Sequence, residues 1–344
     1  MITRTLSLSA PFGLISGRFS RRVIWINGIL LIASTLLVIL AVSLGTLQLS
    51  PFDIWQALTG KGEPGTVTVV TQWRTPRAVM ALLLGAALGV SGAIFQSIIR
   101  NPLGSPDIIG FSSGAYTGAL VTIILLNGGY YEIASGAVTG GVITAAAVYL
   151  LAWREGIVGF RLIIVGIAIS AILAAFNTWL IITGSLESAM TAALWGTGSL
   201  NGVTWAKGQP AVAIIPIAIA AALLMGKRLQ LLEMGDDSAR SLGVNAEASR
   251  LWLMLFGVIL TAVVTATAGP ISFIALAAPQ IARRLMRASS VPLFSSAMIG
   301  AILLLSADIV AQHAFAGVQL PVGAVTVSIG GIYLIWLLVR ESRR

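Results

Sequence analysis

The sequence predicts an all-α integral membrane protein of about ten transmembrane helices, and three observations predict it. Hydrophobic residues make up 57% of the 344 residues and charged residues 10%, against about 25% charged in an ordinary soluble domain; mean hydropathy is +0.96. The apolar residues fall in continuous runs near the roughly 20 residues that a bilayer core requires, and they do not alternate with period 2 as barrel strands do. Lys and Arg gather in short clusters between the runs, where topology determinants sit. Composition alone accommodates eight spans as well as ten, so the count rests on the runs.

Span one is Val23–Gly45, preceded by Arg4, Arg18, Arg21 and Arg22. Ala41-Val42-Ser43 resembles a cleavage site, but the run exceeds the 7–15 residues of a signal core and is expected to be a retained span. An outer loop, Thr46–Pro76, carries turn signals at Gly60, Gly62, Pro64 and Gly65. Spans two to five are Arg77–Ile99, Asp107–Leu126, Ile133–Trp153 and Arg161–Thr183. Ala189–Trp205, interrupted by Gly196, Gly198 and Gly202, is expected to be a short helix with a re-entrant or interfacial segment. Span six is Gln209–Gly226, and a charged inner loop, Lys227–Arg250, follows it. Spans seven to ten are Leu251–Ala268, the short Ile271–Leu285, Pro292–Ala314 and Val322–Val339. With the N-terminus in the cytoplasm, 17 of the 21 Lys and Arg lie on the inner side and four (Lys61, Arg74, Arg77, Lys207) on the outer side. That bias supports an even span count with both termini cytoplasmic. No linker divides the chain, which is expected to be one polytopic domain over 1–344.

Several chemistries are excluded. There is no Cys and a single His, His313, so thiolate zinc sites, iron–sulfur clusters and disulfides are out. The basic residues form no single patch, which argues against nucleic acid. Gly226-Lys227-Arg228 lacks the phosphate-loop pattern, so no ATP site is expected on this chain. Asp308 and His313 stand five apart on span nine and make no nucleophile–base set. Asp308 itself is an intramembrane acid, a functional candidate by default; proton coupling and a structural hydrogen bond both remain open for it.

Three stretches stand out. In Glu233-Met234-Gly235-Asp236-Asp237-Ser238, continuing to Leu242-Gly243, the acids and Ser238 are good helix N-caps and Gly243 a natural stop. Asn245 can cap the next helix, with Glu247 in its first turn. This is a rigid helix–turn–helix that a partner protein can grip, or else a solvated linker. In Arg100-Asn101-Pro102-Leu103-Gly104-Ser105-Pro106-Asp107, Ser105 is placed to cap span three. In Gln72-Trp73-Arg74-Thr75-Pro76-Arg77, two arginines sit on the disfavoured outer side, with Pro76 fixing the helix start between them. They are headgroup anchors or a docking point for acidic groups. The frequent glycines within spans, Gly85, Gly89 and Gly92 among them, read as close helix packing.

These motifs, with Gln96, Gly269-Pro270-Ile271-Ser272-Phe273 and Leu320-Pro321-Val322-Gly323, resemble the permease subunits of ABC importers for iron–siderophores, haem and vitamin B12. The resemblance runs from about Arg74 to the C-terminus. Phe176-Asn177-Thr178-Trp179 and Ser199–Lys207 are similar to the ferric-enterobactin branch of that family, its second (G-type) subunit in particular. The resemblance implies type II importer architecture with ten helices per subunit and a ferric siderophore, ferric enterobactin or a similar catecholate, moved from periplasm to cytoplasm. It implies a second permease subunit of different sequence, two ATPase subunits and a periplasmic binding protein, all at the bacterial inner membrane. ATP and magnesium belong to the ATPase, and this chain binds no cofactor and catalyses no reaction. Glu233, Gly235, Asp236, Asp237, Leu242 and Gly243 are implied in ATPase coupling, and Arg74 and Arg77 in binding-protein docking. A third docking Arg of the B12 relative is replaced here by Gln312. Asn177, Thr178 and Trp195 are candidates for the translocation pathway. An ion-coupled secondary transporter using Asp308 is the competing expectation.

Overall fold

The computed structural model describes residues 5–9, 16–45, 47, 49–153, 159–315 and 317–341. Arg4, Arg154, Arg343 and Arg344, counted toward the inner side, lie outside them. The described residues open with a hairpin, β1 (Thr5–Ser9) antiparallel to β2 (Ser16–Ser20), with Leu6 opposite Phe19. This hairpin departs from the all-helical expectation; everything after it is built on helices.

Helix α1 (Arg21–Ser43) is the first span. The outer loop is more ordered than its turn residues predict. It holds α2 (Pro51–Leu58), capped by a reciprocal Ser50–Asp53 box, and α3 (Pro64–Thr68). Helix α3 continues through a π-helical segment, Val69–Arg74, into α4 (Thr75–Ile99). Two expectations are corrected here. Pro64 opens a helix, because a proline at the first position has no needed N–H to lose. Pro76 lies inside the helix and does not start it. Its ring would clash with the carbonyl four residues back. The wider π turn just before it, in which the Thr75 N–H bonds the Val70 carbonyl, makes room.

The chain continues through α5 (Phe111–Ile124), α6 (Tyr130–Ala152), α7 (Gly159–Thr183), α8 (Leu186–Gly196) and α9 (Trp205–Leu224). Then come the short α10 (Gly226–Glu233) and α11 (Asp236–Ser241), followed by α12 (Ala246–Ala268), α13 (Ile274–Met286), α14 (Leu293–His313) and α15 (Val322–Glu341). Among the described residues seven helices are long and apolar enough to cross a membrane. With α5, α13 and α15 they make ten helices, which match the ten expected spans in order. Helices α5 and α13, at 14 and 13 residues, reach only about 20 Å at 1.5 Å per residue, short of a core roughly 30 Å thick. Non-helical backbone precedes each. Such backbone is tolerated at membrane depth only where protein covers it, and Ser105, Ile109, Gly110 and Ile271 are buried. Ser105 Oγ does accept from the Ile108 N–H, at 3.4 Å, but it caps an isolated turn. Gly110, at φ +91°, breaks the chain there, and α5 starts only at Phe111.

Helix α4 is the centre of the bundle. Met80, Leu84, Ile94 and Phe95 are fully buried. A Cβ on Gly85 would lie 2.4 Å from the Gly300 carbonyl oxygen, and one on Gly92 would lie 1.7 Å from that of Ala275. Small residues let α14 and α13 approach α4 backbone to backbone, which lipid-embedded packing rewards. Helix α7 is the opposite case, turning Ile164, Ile172, Phe176, Trp179 and Ile182 outward.

Candidate functional site

Two groups of ion-paired side chains stand at the two ends of α4. At the inner end α4 closes on Arg100, which adopts a left-handed conformation (φ +56°). Its Nε donates to the Leu232 carbonyl at 3.0 Å and its Nη2 to Asp236 Oδ1 at 2.6 Å. Asp236 also accepts from Arg250 Nη2 at 2.6 Å through both oxygens. Arg250 is nearly inaccessible, its side chain 6% exposed, while Asp236 is 32% and Arg100 43% exposed. Burial pushes the Asp236 carboxyl up. The hydrogen bonds and charges of Arg250 and Arg100 outweigh this and hold it below the ordinary carboxylate range. One turn earlier, Ser97 Oγ donates to Glu233 Oε1, which also accepts from the Val291 N–H at 3.3 Å. A polar cavity of about 200 Å³ opens beside these groups, among Gln96, Arg100, Glu233, Arg283 and Ser289.

The expected helix–turn–helix is present as α11, the turn at Gly243 and the start of α12, and one more short helix, α10, precedes it. Gly235 joins α10 to α11 at φ +117°, ψ 152°, a backbone region that essentially only glycine enters. A Cβ there would meet nothing nearer than Ser238 Oγ at 3.8 Å, so conformation and not space demands glycine. Gly235 occupies the N-cap position that the acids were expected to fill, and Asp236 stands one residue inside the helix with its carboxylate drawn to the arginines. Gly243 (φ +79°) stops α11, and Asn245 caps α12 by accepting from the Ala248 N–H at 3.0 Å. Met234, Asp237, Leu242 and Gly243 face outward.

At the outer end Arg77 and Asp308 form a bidentate pair. Nε donates to Oδ2 and Nη2 to Oδ1, each at 2.9 Å, with side-chain exposures of 14% and 1%. Gln312 Nε2 adds a bond to Asp308 Oδ2 at 2.8 Å, and Arg77 Nη1 reaches Gln319 Oε1 at 3.4 Å. Arg74 donates to the carbonyls of Val42 at 2.9 Å, Ser43 at 3.3 Å and Leu47 at 2.8 Å, closing the end of α1. Both outer arginines are therefore engaged within the chain. Gln312 completes the Asp308 site.

The three pathway candidates do not converge. Asn177 is buried and its Oδ1 has no partner among the described residues. Thr178, one residue on, is exposed and donates to the Ala174 carbonyl. Trp195 stacks on Tyr116 with ring centroids 6.1 Å apart. The sequence did not single out Arg250 or Ser97. Arg250 had a legible signal: it falls on the buried stripe Ala246, Arg250, Leu253, Gly257 of α12, and a charge on an apolar stripe demands a partner.

Comparison with known proteins agrees with this architecture. The model of the FecCD transport family matches residues 30–340. The ferric enterobactin transport system permease protein FepG of Escherichia coli (strain K12) is 56% identical over 300 residues, covering 87% of this chain and 91% of that protein. The achromobactin transport system permease protein CbrC of Dickeya dadantii (strain 3937) is 33% identical over 333 residues, covering 94% and 95%. A solved inward-facing structure of a metal-chelate type ABC transporter superposes with a TM-score of 0.81 at 27% identity, covering 92% of this chain and 99% of that one. The chain belongs to the FecCD transport family and is a multi-pass permease subunit of a siderophore ABC importer.

Proposed function

We propose that the chain carries a ferric siderophore of the catecholate type, ferric enterobactin or a close analogue, across the bacterial inner membrane into the cytoplasm. The observation that carries this is the 56% identity to FepG across nearly the full length of both chains. The chain acts as a single polytopic domain with both termini cytoplasmic. A second permease subunit of different sequence stands beside it, two ATPase subunits beneath and a periplasmic binding protein above. Hydrolysis of ATP, with its magnesium, takes place on the ATPase. This chain holds no cofactor and catalyses no reaction.

The coupling segment, about 227–250, docks on the ATPase; its short helices and outward Met234, Asp237, Leu242 and Gly243 support that role. Binding-protein carboxylates meet the outer rim at Arg74 before Arg77, because Asp308 already holds Arg77. Asn177, Thr178 and Trp195 border the pathway once the second permease subunit is in place. The unpartnered Asn177 Oδ1 supports this, since a polar atom in lipid demands water or a partner. Proton coupling through Asp308 is not favoured, because its carboxylate is committed to Arg77 and Gln312.

The test is uptake of radiolabelled iron in cells lacking this chain and in complemented cells. Ferric enterobactin uptake is expected to require the chain while haem and vitamin B12 uptake do not. Retained enterobactin uptake in the deletion overturns the cargo assignment. For the pathway, Asn177→Cys in the assembled transporter is expected to react with a water-soluble thiol reagent in at least one nucleotide state. Protection in both states removes Asn177 from it.

A further inference from the structure

We infer that Glu233 and Asp236 are positioning residues that fasten the coupling segment to the transmembrane helices. The surface presented to the ATPase is made instead by Met234, Asp237, Arg240 and Leu242. This rests on the reading that α10 and α11 dock on an ATPase subunit.

Exposure divides the segment cleanly. Met234 is 68% and Leu242 61% exposed, and the side chains of Asp237 and Arg240 are fully and 65% exposed. Glu233 and Asp236 point the other way. Adjacent helical residues are turned by about 100°, so two identical neighbours, Asp236 and Asp237, take opposite roles. Asp237 keeps only a 3.9 Å contact with Arg240 within its own helix. Asp236 joins the Arg100 guanidinium of α4 to the Arg250 guanidinium of α12.

Three bonds run from the last turn of α4 into the segment: Ser97 to Glu233, Arg100 to the Leu232 carbonyl and Arg100 to Asp236. Glu233 reaches further, to the backbone before α14. Helix α4 packs against both α12 and α14 along the buried core. A displacement of α11 by its partner is thus delivered to α4 and α12 through short charge-assisted bonds, which are the strong ones. The outward apolar pair Met234 and Leu242, rimmed by one acid and one base, suits a protein cleft with an apolar floor and charges of both signs at its edge.

Arg100 offers the decisive variant. Asp236→Asn leaves the buried Arg250 without its carboxylate and risks misfolding of the segment. Arg100→Gln removes the tie to α4 and keeps the Asp236–Arg250 pair, at a side chain already 43% exposed. The experiment uses the complete transporter purified with its ATPase and reconstituted in proteoliposomes with the binding protein and ferric enterobactin. In Arg100→Gln, ATPase co-purification and ATP hydrolysis are expected to stay near wild type while siderophore imported per ATP falls at least fivefold. Arg100→Lys, which can still reach Asp236, is expected to restore part of it, and Ser97→Ala to deepen the loss. Unchanged import per ATP in the Arg100→Gln, Ser97→Ala double variant overturns the positioning role. Loss of ATPase co-purification in Arg100→Gln also overturns it, by placing Arg100 in the docking surface. A separate arm, Met234→Asp with Leu242→Asp, is expected to abolish co-purification. If the ATPase stays bound there, the docking reading itself fails, whatever Arg100 does.

Discussion

Helix α4 carries an arginine near each end, and each finds an aspartate far along the chain. Arg77 meets Asp308 in a one-to-one ion pair that is almost wholly buried. Arg100 shares Asp236 with Arg250 at a partly wet surface. The outer pair has one ligand set and one geometry: a planar guanidinium fork against a carboxylate that a glutamine also holds. The inner triad has one carboxylate divided between two guanidiniums on different helices. A bidentate pair fixes two spans against each other. A shared carboxylate links two spans to a third element. The difference teaches that α4 is held to α14 alone at its outer end and to both α11 and α12 at its inner end, the arrangement that the proposed coupling through α11 needs.

The comparison is broken most severely at Asp308. Asp308→Asn leaves the largely buried Arg77 without its counter-charge, and losing one partner of a buried pair costs about 3–5 kcal/mol. The expected result is poor recovery from membranes and a lower melting temperature in detergent. Arg77→Gln with Asp308→Asn is expected to be milder than Asp308→Asn alone, because no unpaired charge remains. A double variant as unstable as the single one would mean that the pair adds net stability of its own.

Arg250→Gln comes next. Asp236 keeps Arg100 and part of its water, so the loss is that of a hydrogen-bonded charge, about 1.5–3 kcal/mol. The pH dependence sharpens the contrast. Because the folded state holds the Asp236 carboxyl below its ordinary value, the triad's contribution is complete above the unfolded pKa, about 3.9. It is lost as pH falls through the lower folded value. Thermal melts in detergent are therefore expected to show no Asp236-dependent change between pH 5 and 8. An acid-labile component below pH 4 should be present in wild type and absent in Asp236→Asn. An Asp236-dependent change near neutrality would contradict the arrangement.

At Gly235 the α10–α11 corner is tested through the backbone. Gly235→Ala meets no steric obstacle, yet φ +117° is strained for any side chain, at about 1–3 kcal/mol. The segment is expected to shift, so uptake falls while membrane insertion is kept, and Gly235→Arg should be worse. Full uptake in both variants would show that the α10–α11 corner carries no coupling.

Most of the bundle was legible in the sequence, because lipid forces apolar runs of fixed length and Lys and Arg bias the ends. What escaped shares one physical cause: partners far apart in sequence. Asp308 stood out as an acid in a span, but nothing local names Arg77, 231 residues away, as its partner. Asp236 and Asp237 look alike as helix-opening acids; only the packing of α4 and α12 tells them apart. Pro76 reads as a helix start because local rules place proline there, and a π turn overrode them. Glu233, Gly235 and Leu242 belonged to a recognisable motif, which marks a segment as a unit without saying which residues face in and which face out.

The smallest expected effect lies at Arg74, and it separates rim docking from the outer clamp. Arg74→Glu and Arg77→Glu look equivalent as charge reversals, but the structure makes them different experiments. Arg77→Glu sets a carboxylate against Asp308 and destroys the clamp, so any docking defect is mixed with instability. Arg74 closes the end of α1 through three carbonyls near the surface, where water can take over those bonds. An exposed pair with a binding-protein carboxylate adds only roughly 0.2–1 kcal/mol, and such rim charges act on encounter rates more than on affinity. Arg74→Glu is therefore expected to slow association of the binding protein with the reconstituted transporter at low salt. The difference from wild type should shrink as salt rises past the point where the screening length is about 8 Å, near 0.15 M. ATP hydrolysis without the binding protein should stay near normal. A salt-independent association rate equal to wild type would leave Arg74 as the closing group of α1 alone, and the search for the docking surface would move to the other outer cations, Lys61 and Lys207.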